Sequence, residues 1–298
     1  MVWWHSVSTP RFLTLPPGVS RTTVETSRGP FAALEALPGS RVPERCPALL
    51  VPGLTGSKED FLAMLPTLAA SGRRVVAIDM RGQHQTPGPD DPDAYGRAAL
   101  GGDLVALLEA LGPDPVHLVG HSFGGLVARE AVLAGPARPA SLTLMSSGPA
   151  AVTGNSADKA RALKDAIPEL GMAAIWSIGL EPDYVAGGVQ AEILAFLKER
   201  TLGNSEAGLV GMSREILTAP DRVDELAKHC GDTGLRTLVL YGEDDDVWDP
   251  RVQAEMAERL NAARVVIPSA AHSPAWEAPE TTAAALSDFW NQAEHTLK

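Results

Sequence analysis

Six short apolar runs recur along the chain: ALLVPG (48–53), VVAID (75–79), VHLVG (116–120), LTLMS (142–146), LVLYG (238–242) and RVVIP (264–268). Runs this short and this continuously apolar suit strands buried on both faces, and helical stretches lie between most of them. Alternating strands and helices imply an α/β chain with a mostly parallel central sheet and helices on both faces. Phe61, Leu62, Leu65 and Leu68 share one helix face, as do Leu104, Leu107, Leu108 and Leu111, a set that stops at Gly112-Pro113. Asp249-Pro250 opens a further helix, with Asp as its cap and Pro at its first position. Upstream, VSRTTVETS and FAALEALP, either side of Arg28-Gly29-Pro30, read as two strands joined by a turn. Residues 1–18 show no periodicity and read as an irregular arm packing over the core.

The alternation breaks once. After Ser147 no buried-strand run occurs until about residue 233, and 157–166, 189–202 and 221–230 are helix-like. The expected organisation is therefore a core of residues 1–149 and 234–298, with a helical cap or lid of 150–233 inserted over one end of the sheet. A chain of 298 residues that is 45% hydrophobic can bury such a core. Its formal charge of −12 argues against nucleic acid and against an anionic membrane surface as partners, because phosphate binding needs clustered positive charge. The apolar stretch 170–180 is far shorter than the roughly 20 residues of a membrane span. Cys46 and Cys230 stand far apart without metal-ligand spacing, so they are expected to be inert thiols, with no disulfide framework and no metal. The first residues have no basic segment leading into an apolar run, as a signal peptide would, and the expected compartment is the cytoplasm.

GHSFGG (120–125) falls where the run VHLVG ends and a helical stretch begins. Glycines on both sides allow a tight bend that lifts Ser122 above the carboxyl end of a strand, where the helix N-terminus favours developing negative charge. A serine hydroxyl needs a base, and the base needs a group to orient it. His5 and His295 lie near the termini, His117 is inside a strand run, His229 is in the insertion, and His121 adjoins the serine with its side chain expected to point elsewhere. His84 and His272 remain, both in loops at strand ends. His272 is favoured, because it follows the last strand in a small-residue loop that can approach Ser122. The orienting carboxylate is sought in GEDDDVWDP (242–250), where one Asp can face His272 while its neighbours face water.

With these three segments in this order, the chain resembles the α/β-hydrolase fold family over nearly its whole length outside the first 18 residues and the insertion. GHSFGG resembles the family's nucleophile elbow, GEDDD its acid loop and AAHSPAWEAPE its base loop. The resemblance implies Asp245 as the acid, three residues after the glycine closing its strand. It also implies an oxyanion hole from the backbone N–H groups of Leu54 and Phe123, although this chain has Pro52-Gly53 where many members have His-Gly. RGQHQTPG departs from the family's usual RGHGxS, placing His84 and Gln85 in a loop that often borders the pocket; both are candidate substrate contacts. Trp176, Phe196 and Trp248 are candidates to line an apolar cleft.

The expected function is a cofactor-free serine hydrolase that cleaves an ester-like or other activated carbonyl of a small molecule through an acyl-enzyme. Ser122 argues against the dehalogenases and epoxide hydrolases of this fold, which carry a carboxylate there. A thioesterase, a carbon–carbon bond hydrolase or a perhydrolase would use the same three residues, and a non-catalytic ligand-binding protein on this fold is the competing class.

Overall fold

The computed structural model of the chain describes residues 8–40, 43–135 and 139–295. Its strands are β1 (Val19–Thr26), β2 (Gly29–Ala36), β3 (Ala48–Val51), β4 (Val75–Ile78), β5 (His117–His121), β6 (Ser141–Met145), β7 (Thr237–Gly242) and β8 (Ala263–Ile267). They form one sheet in the order β1-β2-β4-β3-β5-β6-β7-β8. The β1–β2 hairpin and the β2–β4 pair are antiparallel, and every later pairing is parallel. This is the α/β architecture that the alternating runs imply.

Helices α1 (Leu65–Ala70), α2 (Arg97–Ala110) and α3 (Phe123–Leu133) follow the early parallel strands. Between β6 and β7 come α4 (Gly154–Ile175), α5 (Glu181–Ala186), α6 (Ala191–Gly203), α7 (Glu206–Thr218) and α8 (Val223–Thr233). The chain closes with α9 (Pro250–Arg259), α10 (Pro274–Glu277) and α11 (Pro279–Glu294). Alternation along the strands divides the interior into two cores. Leu49, Val51, Val76, Ile78 and Leu118 face a layer containing α2 and α3, whereas Ala48, Leu50, Val75, Ala77 and Val119 face α1 and α11. Each fully buried Leu or Val contributes about 1.5–3 kcal/mol, so strands apolar on both faces draw a helix layer onto each.

Two elements differ from expectation. RVVIP is the edge strand β8, with Ala263 and Arg264 exposed and Val266 42% exposed. Its apolar content matches that of a central strand, but it has a neighbour on one side only. The expected helix through Phe61 and Leu68 is broken into a 3-10 turn, Lys58–Phe61, and α1. Pro66 lacks the N–H that would join α1 to the preceding turn, yet all four apolar side chains are buried as their shared face implies. Of the N-terminal arm, residues 1–7, including His5, lie outside the described residues. Residues 8–18 form no helix or strand before Val19; Leu13 packs against one core and Leu15 against the other.

Where the chain leaves β6 and later returns toward β7, its two ends meet. Ala151 N–H donates to Ala219 O at 2.8 Å and Val152 N–H to Ile216 O at 3.2 Å. The buried Arg129 of α3 secures both from below, donating to Pro149 O at 2.6 Å and to Pro220 O at 3.1 Å. Beyond that point α8 packs on α3 and α9, while α4 and α7 pack on each other. No helix among the described residues is long and apolar enough to cross a membrane; the 170–180 stretch ends α4 and forms a π turn, Trp176–Leu180.

Arg129→Met removes the buried guanidinium and both of its hydrogen bonds, to Pro149 O and Pro220 O. Unfolding in urea is expected to show a loss of about 2 kcal/mol, and limited proteolysis to cut faster between residues 150 and 219.

Candidate active site

Ser122 stands at the junction of β5 and α3 with φ 54° and ψ −122°. For a non-glycine residue this is a strained conformation, worth on the order of 1–3 kcal/mol, and it persists only when the surroundings hold it. Ser122 N–H donates to Met145 O at 2.9 Å, and Ser122 O accepts from Gly125 N–H at 2.9 Å. The turn after β3 presses against this bend. A Cβ on Gly124 would lie 2.3 Å from Pro52 O, and one on Gly53 would lie 2.9 Å from Ser122 Cβ. Only glycine permits either approach.

His272 enters from the loop after β8. Its Nε2 lies 2.9 Å from Ser122 Oγ and its Nδ1 lies 3.0 Å from Asp245 Oδ1. With Nδ1–H donating to the carboxylate, Nε2 is left to accept from the serine hydroxyl. Asp245 Oδ1 also accepts from the N–H groups of Val247 and Trp248 at 2.9 and 3.3 Å, and Oδ2 from Gln253 Nε2 at 2.9 Å. Burial disfavours charge on Asp245, but the His272 imidazole and these donors outweigh it and hold the carboxyl below its ordinary range. Asp244 and Asp246 are on the flanking positions, with Asp246 exposed and Asp245 buried. All three groups are buried, so their mutual hydrogen bonds are not diluted by bulk water.

The backbone N–H groups of Leu54 and Phe123 have no hydrogen-bond partner among the described residues. The first belongs to the turn resting on the elbow, and the second is in the first turn of α3, whose amides have no intrahelical acceptor. Gln83 fixes that turn: its Nε2 donates to Gly53 O at 2.8 Å from a fully buried position. Farther along the same loop, Lys58 pairs with Asp79 at 2.7 Å and Asp60 with Arg200 of α6 at 2.9 Å, all of them buried. Burial pushes the Asp60 carboxyl up to about 7 despite the nearby guanidinium.

A cavity of about 100 Å³ opens over Ser122 and His272. Leu54 and Thr55 wall it on the core side, Val152 and α4 on the other, with Ile216 and Val247 completing it. His84, Gln85, Trp176 and Trp248 are not among its lining residues. His84 is buried with its ring edge-on to Phe196, their centroids 5.6 Å apart, and burial pushes it down to about 4. Gln85 accepts from Lys58 Nζ at 2.9 Å. Trp176 packs against Tyr184, and Trp248 is buried behind Asp245, donating through Nε1 to Ala150 O at 3.2 Å.

His121 does not simply turn away. Its Nε2 donates to the main-chain oxygen of His272 at 2.8 Å, tying the loop that carries His272 to the strand that carries Ser122. Burial, then the neighbouring His272, push it down to about 3. At the opposite end of the sheet, Cys46, His117 and Glu294 bring potential metal donors within 4.8 Å of one another. Two of the three are already engaged: His117 with Ser141 and Glu294, and Glu294 also with Arg45 and Arg73. Cys46 is half-buried and Cys230 buried, both as free thiols.

A family model described as "Alpha/beta hydrolase family" matches residues 48–285. A Variovorax paradoxus protein named provisionally as carbamate hydrolase RutD is 40% identical over 120 residues, 40% of this chain and 45% of that protein. Epoxide hydrolase 2 of Siraitia grosvenorii is 40% identical over 79 residues, 26% of this chain and 25% of its own. The chain thus spans less than half the length of these relatives. Among solved structures, a thermophilic esterase from Thermogutta terrifontis superposes with a TM-score of 0.71 at 23% identity, covering 92% of this chain and 99% of the other. The enol-lactonase from Burkholderia xenovorans LB400 gives 0.70 at 19% identity, covering 91% and 100%. At these identities the likeness is one of fold.

The folded pKa of His121 lies below the ordinary 6.5, so between about pH 6.5 and 3 the unfolded chain binds a proton that the folded chain does not. Stability is expected to fall as pH drops through that window. In urea titrations at a series of pH values, His121→Asn should flatten the slope by about one proton, roughly 1.4 kcal/mol per pH unit.

Proposed function

This chain belongs to the alpha/beta hydrolase family, and from that premise we propose that it is a serine hydrolase acting on an ester-like carbonyl of a small molecule. The observation that carries the reading is the unbroken hydrogen-bonded sequence from Ser122 Oγ through His272 to Asp245, at 2.9 and 3.0 Å. His272 Nε2 takes the hydroxyl proton as Ser122 Oγ attacks the carbonyl carbon. Asp245 keeps the other ring nitrogen protonated and stabilises the imidazolium that forms. The oxyanion is met by the free N–H groups of Leu54 and Phe123, each such donor being worth about 2.7–4 kcal/mol in the transition state. His272 then protonates the leaving group, and water, deprotonated by the same ring, releases the acid and regenerates the serine.

The segment 150–233 serves as the lid in this reading, its helix α4 closing the cavity over the reacting serine. A hydroxyl at position 122 favours acyl transfer over the chemistry of the epoxide hydrolase relative. The partly apolar cavity of about 100 Å³ suits a small acyl group, and two free thiols suit a reducing cytoplasm.

Ser122→Ala is expected to lower hydrolysis of p-nitrophenyl acetate or butyrate by about 10⁴-fold or more and to abolish labelling by a fluorophosphonate; unchanged hydrolysis would exclude the mechanism. Asp245→Asn should reduce kcat by about 10⁴-fold with the fold intact, because the amide presents the wrong partner to Nδ1. Gln83→Ala, which frees the turn carrying Leu54, should reduce kcat by about 10- to 100-fold with little change in KM, read from steady-state kinetics.

A further inference from the structure

Helix α4 turns Ser156, Lys159, Ala160 and Leu163 toward the cavity. Their spacing of three, one and three residues places them on one helical face. Ala160 and Leu163 are buried there, as a core-facing stripe should be. Lys159 is out of character with them. A lysine beside such a stripe ordinarily runs its stem along the apolar surface and carries its ammonium out to water or to an acid. Lys159 lines the cavity and is half-buried, and among the described residues its side chain has no ion pair and no hydrogen bond.

That vacancy is not for want of acids, since the chain holds 37 Asp and Glu against 25 Lys and Arg. Lys58, Lys164 and Lys228 each meet a carboxylate; Lys198 also has none, but it is exposed. Asp158, next to Lys159, pairs with Arg161 at 2.8 Å, and the Ser156 hydroxyl is 3.4 Å from Asp246 O. The remaining walls, Leu54, Val152 and Ile216 among them, supply no charge. A lysine that lines a small, partly apolar cavity without a counter-charge offers its ammonium to an anionic ligand group, which would complete its hydrogen bonds on binding.

We infer that Lys159 is a specificity-determining residue, and that the substrate carries a carboxylate close to the scissile carbonyl. This rests on the proposed serine-hydrolase reading: the carboxylate pairs with Lys159 while the carbonyl is presented to Ser122.

The test compares esters matched in size with and without a carboxylate: mono-p-nitrophenyl glutarate against p-nitrophenyl 5-methylhexanoate for the acyl side, and 4-carboxyphenyl butyrate against 4-carbamoylphenyl butyrate for the alcohol side. In at least one pair the wild-type protein should favour the charged ester, and Lys159→Met should lower the charged-to-neutral ratio of kcat/KM by about 10- to 100-fold, mainly through KM of the charged ester. Lys159→Arg should retain most of the preference, and raised salt should erode it. The inference is overturned if Lys159→Met leaves the charged-to-neutral ratio unchanged in both pairs, or lowers both esters of each pair equally. If no ester is cleaved in a Ser122-dependent way, the hydrolase reading has failed instead. Calorimetry with glutarate then decides the role of Lys159 without turnover: binding lost in Lys159→Met supports the anion site, and absent or unaltered binding overturns it.

Discussion

Pro52 O and the backbone at Gly124 lie so close together that no side chain fits between them, and the candidate site follows from that contact. The turn after β3 has to rest on the strand-to-helix bend for the Leu54 N–H to stand beside Ser122. The bend in turn holds Ser122 at a positive φ that a free chain would abandon. Packing of two backbones stores this strain, where a flexible side chain would relax it. Hydrogen bonds then lock the arrangement from several directions: Met145 O on Ser122, Gln83 on Gly53, and His121 on the loop of His272.

Beneath this contact lies a cluster of buried ions. Lys58 with Asp79 and Asp60 with Arg200 are shielded from water almost completely. Pairs of this kind add little net stability compared with apolar packing, yet removal of one partner strands the other. Their effect is therefore positional. They determine where the loop beyond Leu54 can run, and through Arg200 they join the helices between β6 and β7 to that loop.

Much of this was readable from residues alone, and the limits have physical causes. Central strands announce themselves because both faces are buried, so VVAID and LVLYG carry an unbroken apolar signal. RVVIP carries the same signal at an exposed edge, since composition does not encode the number of neighbours. Ser122 and His272 were legible because each sits in a local pattern, a glycine-bracketed junction and a small-residue loop after the last strand. Asp245 needed a family resemblance to distinguish it from the acids beside it. Gln83 and His121 leave no sequence mark as supports, because each acts on the carbonyl of a residue distant in sequence, and no spacing rule reports such a partner. Among the expected contacts, Trp248 stands beside His272 and His84 packs on Phe196, and neither lines the cavity. Residue type points to a pocket wall, but packing sets a side chain's direction and the sequence does not report it.

Arg129 grips both ends of the segment that begins after β6, and those ends also bond each other. A canopy anchored at both feet by one guanidinium has no free end to swing. Its compliance must reside in its span, where Pro168 and the non-helical Gly171 already interrupt α4. Under the proposed reading of 150–233 as a lid, admission of a ligand becomes a matter of flexing an arch over a fixed doorway, so the bulk of the entering molecule, more than its affinity once inside, would govern how quickly it arrives.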